Sequence, residues 1–479
     1  MFVGRKKELA YLEERYASDR AELIVLYGRR RIGKTELLRQ FAMGKAAVFY
    51  ACTECTDQEQ LARFSNRMLS AEMPAARYIQ CFTDWESALG SIKELPNPGK
   101  KLVIIDEFPY MCKGNRSIAS ILQNLWDNEL KEQKVMFVLC GSSMNFMERE
   151  LLAEKNPLYG RATGIYCLQP LSFTESRRFF PQYSFDEQLM AYAILGGIPH
   201  YLRQFDSRVS IADNIQQQLL SRGSILFSEV DFLLHQELRE TSVYNSVIEA
   251  VANGASVLNL IHGRTQIENT KISAYIRNLM ELNIIQREFS VLTPIREKSG
   301  SQRGLYSLTD AYFRFWYRFV YPSVSELAAG DEAGIYQHQI EPRLTEFVSV
   351  AFEQVCIEYL RRLNRQNALP FHFTKIGRWW EKVTHETNGV KRTIAEEIDI
   401  VAYDGTGTKY LLAECKYRRG GADVDVLDSL KQKFPLRKYP GDVHYMIFSF
   451  YGFSDRLKKK AAAEQVVLVD QMELAAVLI

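Results

Sequence analysis

Two kinds of apolar spacing alternate along the first third of the chain. Ala21-Glu-Leu-Ile-Val-Leu-Tyr27, Lys101-Leu-Val-Ile-Ile-Asp106 and Lys134-Val-Met-Phe-Val-Leu-Cys140 are nearly unbroken apolar runs. That is the pattern of strands buried on both faces of a parallel sheet. Glu36-Leu-Leu-Arg-Gln-Phe-Ala instead spaces its apolar residues as a helix does. From Phe173 to Leu238 the pattern is helical. Val243–Ala252, ended by Gly254, and Ile272–Leu282, ended by Asn283, are two amphipathic helices. A strand beginning at Ile284, a turn around Ser299-Gly300 and a second run at Gly304–Leu308 follow, so helices lead into a β-ribbon. That order predicts a winged helix. Asp310–Pro322 is rich in aromatics and reads as a packed helix tying two domains together, with a base-stacking platform as the alternative. Ala328–Gly334 is a polar, glycine-containing boundary. Beyond it lie an amphipathic helix, Leu344–Leu363, and two alternating runs around an Asp404-Gly405 turn, which predict a β-hairpin.

Composition narrows the class. A chain of 479 residues suggests about three domains. It is 47% hydrophobic and 25% charged, which excludes a disordered chain or a coiled-coil rod. Lys+Arg 60 against Asp+Glu 58 leaves +2, so any nucleic-acid surface must be a local patch. No segment has the apolar length of a membrane span, and the charged, helix-patterned N-terminus is unlike a signal peptide; a cytoplasmic protein is expected. The 8 cysteines are scattered, as suits reduced thiols. Cys52-Thr-Glu-Cys55 is a lone CxxC, and core packing after a strand is its better reading than metal or redox work.

The chemistry begins where the first strand ends. Gly28-Arg29-Arg30-Arg31-Ile32-Gly33-Lys34-Thr35 joins strand to helix, the full context of a P-loop. Gly28 and Gly33 let the backbone curl so that its N–H groups face phosphate oxygens, and the helix opening at Lys34, Thr35 and Glu36 adds a positive dipole end. Lys34 is placed to reach the β/γ-phosphates of ATP and Thr35 to coordinate Mg2+. The three arginines can contact phosphates or pair with acids of another domain. The second strand ends in Asp106, suited to hold Mg2+ through water, and Glu107, suited to polarise the attacking water. The third ends in Gly141-Ser142-Ser143, and one of these serines, Ser142 foremost, is the candidate γ-phosphate sensor.

These motifs, with the opening Phe2-Val-Gly4-Arg5-Lys-Lys-Glu8-Leu9, Pro157-Leu-Tyr-Gly160-Arg161, Leu168–Phe173 and Gly196-Gly197-Ile-Pro199-His-Tyr-Leu202, resemble the archaeal-type ATPases, AAA+/STAND-like P-loop proteins. The resemblance implies that Phe2, Gly4 and Arg5 lie near the adenine. It implies that Arg161 reaches a γ-phosphate in cis or from a neighbour. The GGIP segment resembles a helical-lid motif, where Pro199 either senses nucleotide or starts a helix. For the winged helix, DNA contact through Lys271, Arg277, Arg287, Arg296, Lys298 and Arg303 competes with a role as internal clamp, because acids are interleaved with these cations.

In the C-terminal hairpin, a four-residue loop Gly405–Thr408 sets Asp404 opposite Lys409 and therefore Asp399 opposite Glu414, with Lys416 on the same face. Two carboxylates can hold a divalent ion, and a lysine can position or deprotonate water. This D…ExK pattern resembles the PD-(D/E)XK nucleases, though Ile398 stands where proline is common. The resemblance makes Asp399 and Glu414 metal ligands, Lys416 the catalytic lysine, and a helix-borne acid a third ligand, with Glu353 ahead of Glu346.

The expected fold is an α/β P-loop NTPase core (1–172), a helical lid (173–238), a winged helix (239–325) and a restriction-endonuclease-like α/β domain (326–479). The expected function is an ATP-hydrolysing, Mg2+-dependent switch or motor coupled to a domain that acts on or binds double-stranded DNA. The alternative is a nucleotide-controlled oligomeric scaffold that binds a partner without cutting.

Overall fold

The computed structural model describes residues 2–96, 99–298, 304–387 and 390–479. The chain divides into two compact units: residues 1–171 with 198–200, and residues 172–197 with 201–479.

The first unit is built on five strands: β1 (Glu22–Tyr27), β2 (Ala47–Ala51), β3 (Lys101–Asp106), β4 (Val135–Gly141) and β5 (Gly164–Cys167). Their order is β2-β3-β4-β1-β5, and every pairing is parallel. β1 and β4 are buried along their whole length and β3 from Leu102 onward, which accounts for their unbroken apolar runs. β4 separates β1 from β3, so the strand ends carrying the P-loop, the acids and the serines come out on one edge of the sheet. The weaker β2 and β5 lie at the two sides and gave no clear run of their own.

The second unit opens with helices, among them Phe185–Leu195 and Ile225–Glu237. Three helices, Thr241–Ala252, Leu258–Thr265 and Asn269–Glu281, then precede an antiparallel pair, β6 (Ile285–Glu288) and β7 (Leu305–Leu308). The middle helix buries only Ile261 and leaves Leu260 exposed, so no apolar stripe marks it in the sequence. In the aromatic segment, Asp310 caps the Ala311–Phe315 helix, and Tyr312, Phe313, Phe315, Trp316, Tyr317 and Phe319 are all buried. Trp316 Nε1 donates to the Phe227 carbonyl (2.9 Å) and Tyr317 Oη to Asn245 Oδ1 (2.6 Å). The aromatics are core, not an exposed stacking platform.

The last sheet has five strands: β8 (Lys375–Thr387), β9 (Val390–Tyr403), β10 (Lys409–Lys416), β11 (Asp442–Ser449) and β12 (Val467–Val469), in the order β12-β11-β10-β9-β8. β10, β11 and β12 run parallel, and β9 is antiparallel to both neighbours. The hairpin has the predicted register, Tyr410 opposite Tyr403 through Ala413 opposite Ile400. Asp404 fixes it by accepting from the backbone N–H groups of Thr408 (2.9 Å) and Lys409 (3.2 Å). Two acids tie this sheet's layer to the first helices of the unit. Glu358, on the helix Glu341–Arg365, accepts from the N–H groups of Phe173 (2.9 Å) and Thr174 (3.2 Å). Asp186 accepts from the hydroxyls of Tyr417 (2.5 Å) and Tyr451 (2.9 Å).

Candidate functional sites

The loop after β1 is shaped by its glycines. Gly28 has φ 155°, and a Cβ there would lie 2.7 Å from the Leu168 carbonyl oxygen, a distance no side chain tolerates. Gly33 has φ 90°, which an L side chain adopts only with strain, and its Cβ position lies 3.7 Å from Pro199 Cγ. The GGIP proline thus stands against the P-loop. Helix Lys34–Ala42 starts at once, with Glu36 in its first turn.

Lys34 is buried and its ammonium donates to the carbonyls of Gly28 (2.9 Å) and Arg29 (3.0 Å), the loop's own acceptors. Burial pulls its pKa below that of a free lysine; Cys140, Glu107 and Asp106 oppose the shift. The Thr35 hydroxyl donates to Asp106 Oδ2 at 2.6 Å. Two hard oxygen donors therefore meet beside the loop, and they fit Mg2+. Glu107 follows with φ 52°, a left-handed conformation that costs a non-glycine residue roughly 1–2 kcal/mol. Its Oε2 accepts from the Ser142 hydroxyl (2.8 Å) and the Ser142 N–H (3.2 Å). Ser143 instead uses its hydroxyl to accept from Phe146 N–H. The two serines thus take different partners.

Arg5 and Arg161 both hold protein partners. Arg5 is buried, and its guanidinium donates to the carbonyls of Ile32 (3.0 Å) and Gln169 (2.6 Å) and pairs with Glu8 (3.0 Å). It braces the loop. Phe2 and Gly4 are half-buried in the segment before the helix Lys6–Ala17. Arg161 forms an ion pair with Asp127 (3.0 Å) and donates to the Tyr159 carbonyl (3.2 Å). Arg29, Arg30 and Arg31 all engage neighbours, and Arg31 has φ 66°. Cys52 is buried and Cys55 Sγ lies 3.1 Å from Gln60 Oε1; all eight cysteines are free thiols.

In the three-helix unit, Arg287 lies over the rings of Phe289 (5.2 Å) and Tyr306 (5.4 Å), and Lys298 over Phe289 (5.8 Å). Lys271, Arg277 and Arg296 are exposed. Arg303 lies outside the described residues.

The C-terminal constellation also assembles. Glu414 is buried, and its two oxygens accept from Lys416 (2.6 Å) and Lys433 (2.7 Å). Lys416 also stands 3.6 Å from Asp399 Oδ2, which accepts from the Cys415 N–H at 2.7 Å. Burial, then Glu414, raises the Asp399 pKa. Burial opposes the charge of Lys416, but Asp399 and Glu414 outweigh it and raise its pKa. Glu353 belongs to this neighbourhood: burial, then Asp399, pushes its carboxyl up to about 8. Glu346 pairs with Arg318 (2.9 Å) instead. Among the described residues no group of three His, Cys, Asp or Glu side chains is placed to hold a metal ion. The donors suit a divalent cation in kind, but as arranged they do not fit one, because ammonium groups occupy both oxygens of Glu414.

A parallel sheet with a glycine loop and helix after one strand, and paired acids after the strand two places away, defines a P-loop ATPase fold. Residues 2–205 match the model of an ATPase domain predominantly from Archaea, and residues 316–429 that of archaeal and bacterial proteins of unknown function. An uncharacterized protein of Methanocaldococcus jannaschii is 33% identical over 419 residues, 87% of this chain and 88% of its own. The chain belongs to this archaeal-type ATPase family. A 45-residue stretch, 9% of this chain, is 53% identical to an uncharacterized ATP-binding protein of the same organism and covers 76% of it. Among solved structures, the Walker-type ATPase of Pyrococcus abyssi aligns at 20% identity and TM-score 0.48, covering 66% of this chain and 96% of that one. The Aeropyrum pernix ORC2 protein, solved as ADPNP–ADP complexes, aligns at 13% and 0.40, covering 69% and 95%. Among the described residues no helix is long and apolar enough to cross a membrane.

Proposed function

We propose that the chain binds ATP with Mg2+ on the P-loop, hydrolyses it, and uses the nucleotide state to set the activity of its C-terminal domain. The observation that carries this reading is the meeting of Lys34, Thr35, Asp106, Glu107 and Ser142 at one sheet edge. Loop amides and the helix N-terminus cradle the phosphates. Lys34 exchanges its loop carbonyls for phosphate oxygens. Thr35 and Asp106 would hold Mg2+, which neutralises phosphate charge when bound. Glu107 accepts the proton of the attacking water, while Ser142 fixes which way its carboxylate faces. Arg161 adds positive charge only after leaving Asp127, so its part in turnover requires a rearrangement of that loop or a neighbouring copy. A nucleotide-dependent homo-oligomer belongs to this reading.

The three helices with their ribbon act as a winged helix. The C-terminal domain is a PD-(D/E)XK-like module that acts on or binds double-stranded DNA. A second reading, in which this domain binds its partner without cutting, is favoured by the two lysines already seated on Glu414. Both are tested by phosphate release and DNA cleavage in parallel, with Mg2+, with and without ATP. Turnover abolished in Lys34→Ala and Glu107→Gln supports the ATPase assignment. DNA cutting lost in Asp399→Ala separates nuclease from scaffold, and persistent turnover in both Lys34→Ala and Glu107→Gln refutes the mechanism.

A further inference from the structure

We propose that Lys433 is a resident counter-cation that closes the Asp399–Glu414 pair to divalent metal ions. The inference rests on the nuclease-like reading of the D…ExK face and names what regulates that face. Glu414 projects from β10 with its side chain only 4% exposed. A carboxylate that deep in protein needs a compensating cation. It has two: Lys416, two residues along the same strand, and Lys433, the last residue of the helix Val424–Lys433. Each takes one oxygen, at 2.6 and 2.7 Å.

The four charged groups balance: Asp399 and Glu414 against Lys416 and Lys433. A divalent ion entering beside both ammonium groups would leave these four groups with two excess positive charges, and Coulomb repulsion at these separations is strong where the groups are half-buried. One ammonium must therefore leave before a metal can enter. Lys416 also faces Asp399 at 3.6 Å and is held between both acids. Lys433 has Glu414 as its ion-pair partner, sits at a helix end and is 23% exposed, so it is the one free to swing out. Its position at the helix C-terminus also gives it a favourable place to remain when withdrawn. The sequence motif alone cannot reveal this, because D…ExK counts one lysine and the structure supplies a second.

The test is Mn2+ binding to the full-length, nucleotide-free protein, read from the loss of the free-ion EPR signal. Wild type, Lys433→Met and Lys433→Ala are compared, each with and without Asp399→Asn, with circular dichroism to check folding. Methionine keeps the stem's bulk if alanine does not fold. The proposal expects Mn2+ affinity to rise about tenfold or more in Lys433→Met, and Asp399→Asn to abolish the gain. Equal Asp399-dependent affinity in wild type and Lys433→Met overturns the gating role while leaving the metal site standing. No Asp399-dependent binding in any variant removes the nuclease-like reading itself, and the proposal with it.

Discussion

Ser142 holds Glu107 by two hydrogen bonds to one carboxylate oxygen, from its hydroxyl at 2.8 Å and its N–H at 3.2 Å. The residue proposed to sense the phosphate would therefore also orient the proposed base. Replacing the hydroxyl leaves only the backbone bond. Ser142→Ala is expected to lower kcat for ATP roughly tenfold to a hundredfold with little change in KM. Steady-state phosphate release checks this; an unchanged kcat would remove Ser142 from the orienting role.

Glu107→Gln keeps the side chain's size and its ability to accept from Ser142, but not its basicity. Turnover should fall roughly 10²–10⁴-fold while ATP affinity is retained. Comparing single-turnover rates with equilibrium binding distinguishes the two effects. A variant that hydrolyses normally would show that another group takes the proton.

Arg5 braces the loop through the Ile32 and Gln169 carbonyls, and a place near the adenine is the role its motif implies. Arg5→Ala should therefore weaken nucleotide binding by loosening the loop. It should also destabilise the first unit by roughly 1–3 kcal/mol for each stranded carbonyl. Urea unfolding followed with and without ATP reads both quantities. Loss of affinity at unchanged stability would favour the adenine-contact role instead.

Asp186 accepts from Tyr417 and Tyr451 and so joins the helix Phe185–Leu195 to the strand-end region of the C-terminal sheet. Asp186→Ala leaves both hydroxyls without their acceptor and should cost roughly 1–3 kcal/mol. The double variant with Tyr417→Phe should cost less than the sum of the two single changes. Strict additivity in that cycle would mean that the contact contributes nothing measurable.

The sequence made legible whatever is contiguous. GRRRIGKT, the acids closing β3 and the serines closing β4 are each local, and their meeting follows from strands running parallel in one sheet. The β9–β10 register was also legible, because a four-residue turn leaves only one pairing and the face follows from the pleat. What stayed hidden depends on distant chain. Arg5 meets Gln169 across 164 positions, and Lys433 meets Glu414 across 19 positions and a helix. The motif points Arg161 at a γ-phosphate, and only the fold shows Asp127 beside it. The helix Leu258–Thr265 was silent because a helix burying one residue has no stripe to read.

In the proposed function the loop around Lys34 captures the triphosphate of ATP. Isothermal titration of the purified chain with ATP and Mg2+ tests it most directly, with Lys34→Ala alongside. Saturable one-site binding in the wild type, lost or strongly weakened in Lys34→Ala, is the predicted result. No heat of binding in the wild type, or equal binding in both proteins, would contradict the account.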